Sequence, residues 1–265
     1  MNEKFHAIVL VKPVPEMEKV QFDFEKGAID VSSAPLEINP FDLHAIEAAA
    51  QIKEKLGGKV TVISLAPRGA ESALRDAIAR GADRVILIPE KEKRFPGSDT
   101  LTTSYILARA IKKLENFHLI ICGEKTADGG SEQVGPGVAE ILGIPHIACV
   151  SEIREVSKEK LLVVSELGTP YLMELKLPGL ITVTKDLNKP RLPTLKDKLK
   201  ARKAQIEVWN IEDLADVGKP VPPSPLNQAI RISPPPMKKR KGQIFEGEDA
   251  VDKLIEALEK EGVLG

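Results

Sequence analysis

Residues 59–88 read KVTVISLAPRGAESALRDAIARGADRVILI. The stretch opens on an apolar run, Lys59 to Leu65, and closes on another, Arg84 to Ile88. Both are rich in β-branched residues and neither alternates strictly between apolar and polar. That is the pattern of strands buried on both faces, which belong to parallel sheets. Between them, about Gly69 to Arg80, Leu74, Ala77 and Ile78 fall on one helical face, and Gly81 supplies a C-terminal stop. The segment therefore predicts a strand, a crossover helix and a second, parallel strand.

The same alternation extends outward. His6–Val11 and Phe117–Cys122 are two further strand-length apolar runs. Asn39-Pro40 opens a helix with Leu43, Ile46 and Ala50 inward and Gly57-Gly58 at its end, Asn suiting the N-cap and Pro the first helical position. Ser98-Asp99 caps a third helix whose predicted stripe is Leu101, Tyr105, Ala108 and Ile111, and a fourth runs from about Ser131 to Leu142 with Val134, Val138, Ile141 and Leu142 inward. The fold class is α/β, a doubly wound and mostly parallel sheet, with loops after the strand C-termini gathered along one ligand-binding edge.

Beyond Val150 the pattern changes. Ser151–Val156, Leu161–Leu167, Tyr171–Leu177 and Leu180–Thr184 read as strands without helices between them, and Gly168-Thr169-Pro170 as a turn, predicting an antiparallel extension of the sheet. Three regions follow. Residues 1–188 form the nucleotide-binding α/β domain. Residues 189–203 form a proline-flanked loop and a basic helix. Residues 204–265 form an extended arm, proline-rich over 219–236, that ends in an amphipathic helix over 248–261. Such an arm suits wrapping a partner or packing back on its own domain.

Bulk composition excludes several classes. Of 265 residues, 42% are apolar and 29% charged, and the net charge of −1 offers no electrostatic case for nucleic acid. No apolar run is long enough to span a bilayer, and no signal-peptide core is visible, so a cytoplasmic location is expected, at most peripheral to a membrane through a partner. The two cysteines, Cys122 and Cys149, form no paired motif and read as small core residues. The four histidines, His6, His44, His118 and His146, are scattered, and no catalytic or metal-ligating constellation is suggested.

Three loops should meet at the sheet edge: Val11–Pro15, Leu65–Gly69 and Gly123–Pro136. The last is rich in small residues and opens a helix. Its glycines would let backbone approach a ligand, the amides at the helix start could hold a phosphate, and Asp128 could accept a bond from a sugar hydroxyl. An ordinary connector with Asp128 or Ser131 as helix cap would look much the same. The loop matches neither the dinucleotide nor the Walker glycine pattern.

These residues resemble the electron transfer flavoprotein beta family over nearly the whole chain. The likeness rests on five motifs: Val11–Pro15, Ile38–Asp42, Ala77–Arg84, Asp128–Pro136, and Asp186–Arg191 followed by Pro193-Thr194-Leu195. It implies an adenine nucleotide alpha hydrolase-like sheet and a heterodimer with an FAD-carrying alpha subunit. It also implies a nucleotide site lined by Val11, Asn39, Ala66, Cys122, Gly123, Asp128, Ser131, Gln133, Val134 and Gly135. The nucleotide is AMP in simple carriers and a second FAD in electron-bifurcating members.

Pro96–Ser104 resembles a stretch of the bifurcating, FixA-like type and adds Ser98, Asp99, Thr100 and Thr103 to the cofactor-binding set. On that likeness the complex takes electrons from NADH and divides them between a high-potential acceptor, a dehydrogenase or quinone oxidoreductase-like partner, and a low-potential one, ferredoxin or flavodoxin. The chain is then a redox electron-transfer subunit with no acid–base machinery of its own. Leu195 matches the family's partner-docking leucine. Three readings stand beside this one, the first a non-bifurcating electron carrier subunit that binds AMP structurally. An adenine-nucleotide-dependent ligase-like enzyme shares the sheet type, but Lys12-Pro13-Val14-Pro15 occupies the place of its loop after strand one. A non-redox interaction module would use the arm and the Leu195 loop alone.

Overall fold

The computed structural model describes residues 4–23, 28–31, 33–90, 99–114, 116–214 and 242–264. Cα packing divides the chain into Met1–Ile232 and Ser233–Gly265. In the first unit β1 (His6–Leu10), the short strands β2 (Pro13–Pro15), β3 (Gln21–Asp23), β4 (Ala28–Asp30) and β5 (Leu36–Ile38), α1 (Pro40–Leu56) and β6 (Lys59–Ala66) come first. Then follow α2 (Glu71–Ala79), β7 (Arg84–Pro89), α3 (Thr100–Lys113), β8 (Leu119–Gly123), α4 (Val134–Leu142), β9 (His146–Val156), β10 (Lys160–Leu167), β11 (Thr169–Lys176), β12 (Gly179–Val183), α5 (Leu195–Lys203) and β13 (Glu207–Val208). The second unit contains α6 (Ala250–Lys260), whose Val251, Leu254 and Ile255 are exposed.

The main sheet has nine strands in the order β11-β10-β9-β12-β8-β1-β6-β7-β13. From β9 to β13 every pairing is parallel, and only the β9–β10 and β10–β11 pairs are antiparallel. The chain leaves β1 for β6 and β7 on one side and later lays β8 against its other side. That reversal opens a crevice at the C-terminal ends of β1 and β8, where doubly wound sheets bind ligands. One core layer packs α1 and α2 on one sheet face, through Ile46, Ala49 and Leu74 against Val9, Val62 and Ile121. The other packs α3 and α4 on the opposite face, through Leu107, Ile111 and Val138 against Ile8, Ile63 and Ile120.

Two expectations need correction. Leu180–Thr184 is not part of the antiparallel extension. As β12 it inserts between β8 and β9, parallel to both. Its all-buried pattern is that of an inner parallel strand, whereas β11, at the sheet edge, is exposed at nearly every position. The predicted stripe of α3 also shifts. Ala108 and Ile111 are buried, but Leu101 and Tyr105 are exposed, and the helix start turns Thr102 and Ser104 inward. The cause is close packing on α4. A Cβ at Gly137 would stand 2.7 Å from Ser104 Oγ, so only small residues fit that crossing. Ser104 satisfies its buried hydroxyl by donating to Thr100 O at 2.7 Å.

Candidate functional site

The three loops converge as the alternation of strands and helices requires. A cleft of about 510 Å³ lies over the C-terminal ends of β1, β6 and β8. Its apolar surface includes Leu10, Leu65 and Leu107. One rim is the Gly123–Gly135 loop, and Asp99, Thr100 and Thr103 at the start of α3 lie on the same wall.

The loop after β8 is tied to α1 by side chains. Asn39 stands at the N-cap of α1 but makes no capping bond. Its amide instead donates to Lys125 O at 2.9 Å and accepts from Ala127 N–H at 3.0 Å. Within the loop, Gly130 N–H donates to Thr126 O at 2.9 Å. Asp42, in the first turn of α1, closes the junction. Its carboxylate accepts from Lys12 N–H at 2.8 Å and Gly123 N–H at 3.0 Å, joining the ends of β1 and β8. Burial pushes its carboxyl up to about 7, against the pull of those two amides. Gly123 has no alternative at this contact, since a Cβ there would lie 2.6 Å from Asp42 Oδ1 and 2.9 Å from the Phe41 carbonyl carbon.

Helix α4 begins Val134-Gly135-Pro136-Gly137, a poor helix-forming sequence. Packing overrides propensity. A Cβ at Gly135 would stand 2.7 Å from Thr182 Cγ2 and 2.9 Å from Cys122 Sγ, so the helix start lies directly on β8 and β12. Pro136 falls in the first turn, where its missing N–H costs no intrahelical bond. Just before the helix, Glu132 takes a left-handed φ of 60°. Thr100 Oγ1 donates to Gln133 Oε1 at 2.8 Å, linking the starts of α3 and α4 along that wall.

Ten of the expected site residues line this cleft: Val11, Asp99, Thr100, Thr103, Cys122, Gly123, Ser131, Gln133, Val134 and Gly135. Asn39 and Ala66 lie behind it, both buried, Asn39 holding the loop and Ala66 accepting from Glu90 N–H at 3.0 Å. Asp128 is also outside the lining, with its side chain almost wholly buried and paired to Lys12 at 2.6 Å. Ser98 lies outside the described residues. Neither Asp128 nor Ser131 caps α4, whose N-cap is Gln133. Cys122 is buried at the cleft base, and burial and Asp42 together push its thiol far up, out of reach of thiolate chemistry. Cys149 is only partly buried and sits at a bulge with a φ of 53°.

Lys12, Asp42, Glu124 and Lys125 were missed as cleft residues. Lys12 and Asp42 lie inside quoted motifs, but nothing local says that one reaches across to Asp128 or that the other bridges two strand ends. The arrangement offers helix-start amides and a lysine for an anion, apolar walls for a planar ring and hydroxyls at the far end. Asp128 Oδ1 is a buried acceptor with no hydrogen-bond partner. The amides, lysine, apolar walls and hydroxyls of the lining, without Asp128, fit a nucleotide. Among the described residues no group of three or more His, Cys, Asp or Glu side chains could hold a metal ion.

Leu195 is the first residue of α5 and is largely exposed, as is Leu192. The segment before it is clamped to α1. Arg191 donates to Glu47 Oε2 at 2.7 Å and Glu54 Oε1 at 2.6 Å, and Asn188 Nδ2 donates to His44 O at 3.0 Å. Thr194 and Asp197 form a capping box at the helix start. Among the described residues no helix is long and apolar enough to cross a membrane.

Comparison with known proteins agrees with the geometry. Residues 27–214 match the model of the electron transfer flavoprotein domain. The chain is 37% identical to the "Electron transfer flavoprotein subunit beta" of Thermoanaerobacterium thermosaccharolyticum, over 98% of this chain and 100% of that protein. It is 35% identical to the subunit of the same name from Clostridium acetobutylicum, over 94% and 93%. It is 33% identical to "Protein FixA" of Bradyrhizobium diazoefficiens, over 96% and 91%. The chain belongs to the electron transfer flavoprotein family, among its beta subunits and FixA proteins.

Proposed function

We propose that this chain is the FAD-binding beta subunit of an electron-bifurcating flavoprotein and works as a heterodimer with an FAD-carrying alpha subunit. The observation that carries the reading is the extent of the cleft. It does not end at the glycine-rich loop, where a nucleotide phosphate would sit. It continues to Asp99, Thr100 and Thr103, whose hydroxyl-rich helix start suits the polar edge of a flavin ring. When bound, FAD would accept a hydride from NADH and release its two electrons separately, one toward the alpha subunit and a dehydrogenase or quinone-linked acceptor, the other toward ferredoxin or flavodoxin. The chain's own residues would bind, orient and shield the cofactor. Leu195, on its clamped loop, would dock the partner protein in the cytoplasm.

A simple carrier with AMP in the same cleft is the competing reading. It is favoured by Thr100, whose hydroxyl is already engaged with Gln133. The absorbance spectrum and cofactor count of the purified heterodimer decide between them. Two FAD per pair, with reduction by NADH, is the expected result, and one FAD plus one AMP would overturn it.

A further inference from the structure

Lys12 follows β1 and its main chain is locked on both sides. Its N–H donates to Asp42 at 2.8 Å and its carbonyl accepts from Asn39 N–H at 2.9 Å. Its side chain is 47% exposed and belongs to the cleft wall, and its Nζ stands 2.6 Å from Asp128 Oδ2. Asp128 is the opposite case. Its side chain is 2% exposed and outside the wall, and Oδ1 is buried without a partner.

The loop carrying Asp128 does not need this ion pair to keep its shape, because Asn39 and Thr126 already tie it at Lys125, Ala127, Gly129 and Gly130. A buried carboxylate with one oxygen unsatisfied is costly. What it does in return is hold one half-exposed ammonium at the cleft. Lys125, the other lysine of the wall, stands 3.3 Å from Glu124 and 3.9 Å from Glu132, both in the wall themselves. The ion-pair partner of Lys12, Asp128, lies behind the wall, so Lys12 belongs to the ligand space and its carboxylate partner does not.

We propose that Lys12 is the side chain that contacts the ligand here, through an anionic phosphate oxygen of an adenine nucleotide. Asp128 is its positioning residue and acts through Lys12 instead of accepting a sugar hydroxyl. This rests on the nucleotide reading of the cleft.

The test is calorimetric titration of the full chain, freed of bound nucleotide, with AMP, 2′-deoxy-AMP and adenosine. In Lys12→Met, AMP affinity should fall about 10- to 100-fold while adenosine affinity stays within about twofold. Asp128→Asn should leave the ratio of AMP to 2′-deoxy-AMP affinity unchanged, and adding it to Lys12→Met should cause no further loss. Unaltered AMP binding by Lys12→Met overturns the proposal, even if Asp128→Asn fails to fold. So does an Asp128→Asn variant whose ratio of AMP to 2′-deoxy-AMP affinity has collapsed. Binding of neither AMP nor adenosine by the unsubstituted chain would defeat the nucleotide reading itself, and this proposal with it.

Discussion

Helix α1 carries two buried carboxylates, and they are held in opposite ways. Asp42, in its first turn, faces the cleft and is gripped by backbone amides of Lys12 and Gly123. Glu47, further along, faces the segment before α5 and is gripped by the Arg191 guanidinium, with Gln51 donating at 2.8 Å. Burial raises both. At Asp42 burial wins and the carboxyl reaches about 7. At Glu47 the charged and hydrogen-bonding partner outweighs burial and holds the carboxyl below its ordinary value. Neutral dipoles satisfy a buried carboxylate geometrically without cancelling its charge, whereas a guanidinium does both. The cleft side therefore keeps a titratable junction, and the side facing α5 keeps a fixed one.

The largest expected effect comes from forcing the amide-held junction apart. Gly123→Ala places a methyl against Asp42 and the Phe41 backbone, and should cost about 3 kcal/mol of stability by overpacking. A urea midpoint within error of the unsubstituted protein would show that α1 can retreat from β8 and that the junction is loose.

Next is the guanidinium side. Glu47→Gln leaves Arg191 with Glu54 as its carboxylate and should cost about 2 kcal/mol at neutral pH, less than a fully buried pair because Arg191 is partly exposed. Glu47 titrates below its unfolded value in the folded protein. Its contribution is thus present above that unfolded value and lost as pH falls through the depressed folded one. The stability gap between variant and parent should close on acidification.

The third prediction has the opposite sign. Asp42 has a raised folded value, so its contribution is present below about pH 4 and is lost as pH rises through about 7, by up to about 1.4 kcal/mol per pH unit. Asp42→Asn removes that slope. Denaturation curves at pH 5, 6, 7 and 8 should show the variant gaining on the parent as pH rises. Parallel slopes would mean that the amides of Lys12 and Gly123 offset burial completely.

Much of the fold was legible because burial pattern is local. The runs of Val60–Ile63 and Val85–Ile88 announce inner parallel strands, and the alternation of strand and helix then dictates which loops share an edge. The edge where the loops meet followed, while the individual lining residues came from the family resemblance, which supplied ten of them. Capping was legible at Asp99, whose side chain takes Thr102 N–H at 2.8 Å. It failed at Asn39, although Asn39 holds the N-cap position. The difference is that Asp99 found its acceptor role three residues away, while Asn39 serves a loop some 86 residues distant in the chain.

The alternation of inner strands and helices, and with it the edge at which the loops meet, was determined by the sequence alone, because periodicity and turn chemistry are properties of neighbouring residues, and the family was legible in its motifs. Four things were decided only by tertiary structure: the insertion of β12 between β8 and β9, the inward turn of Thr102 and Ser104, the two-strand grip of Asp42, and the pairing of Lys12 with Asp128. Each depends on which distant group arrives opposite a given atom. A buried polar group takes whichever partner the topology delivers, and the stretch of sequence around it does not name that partner.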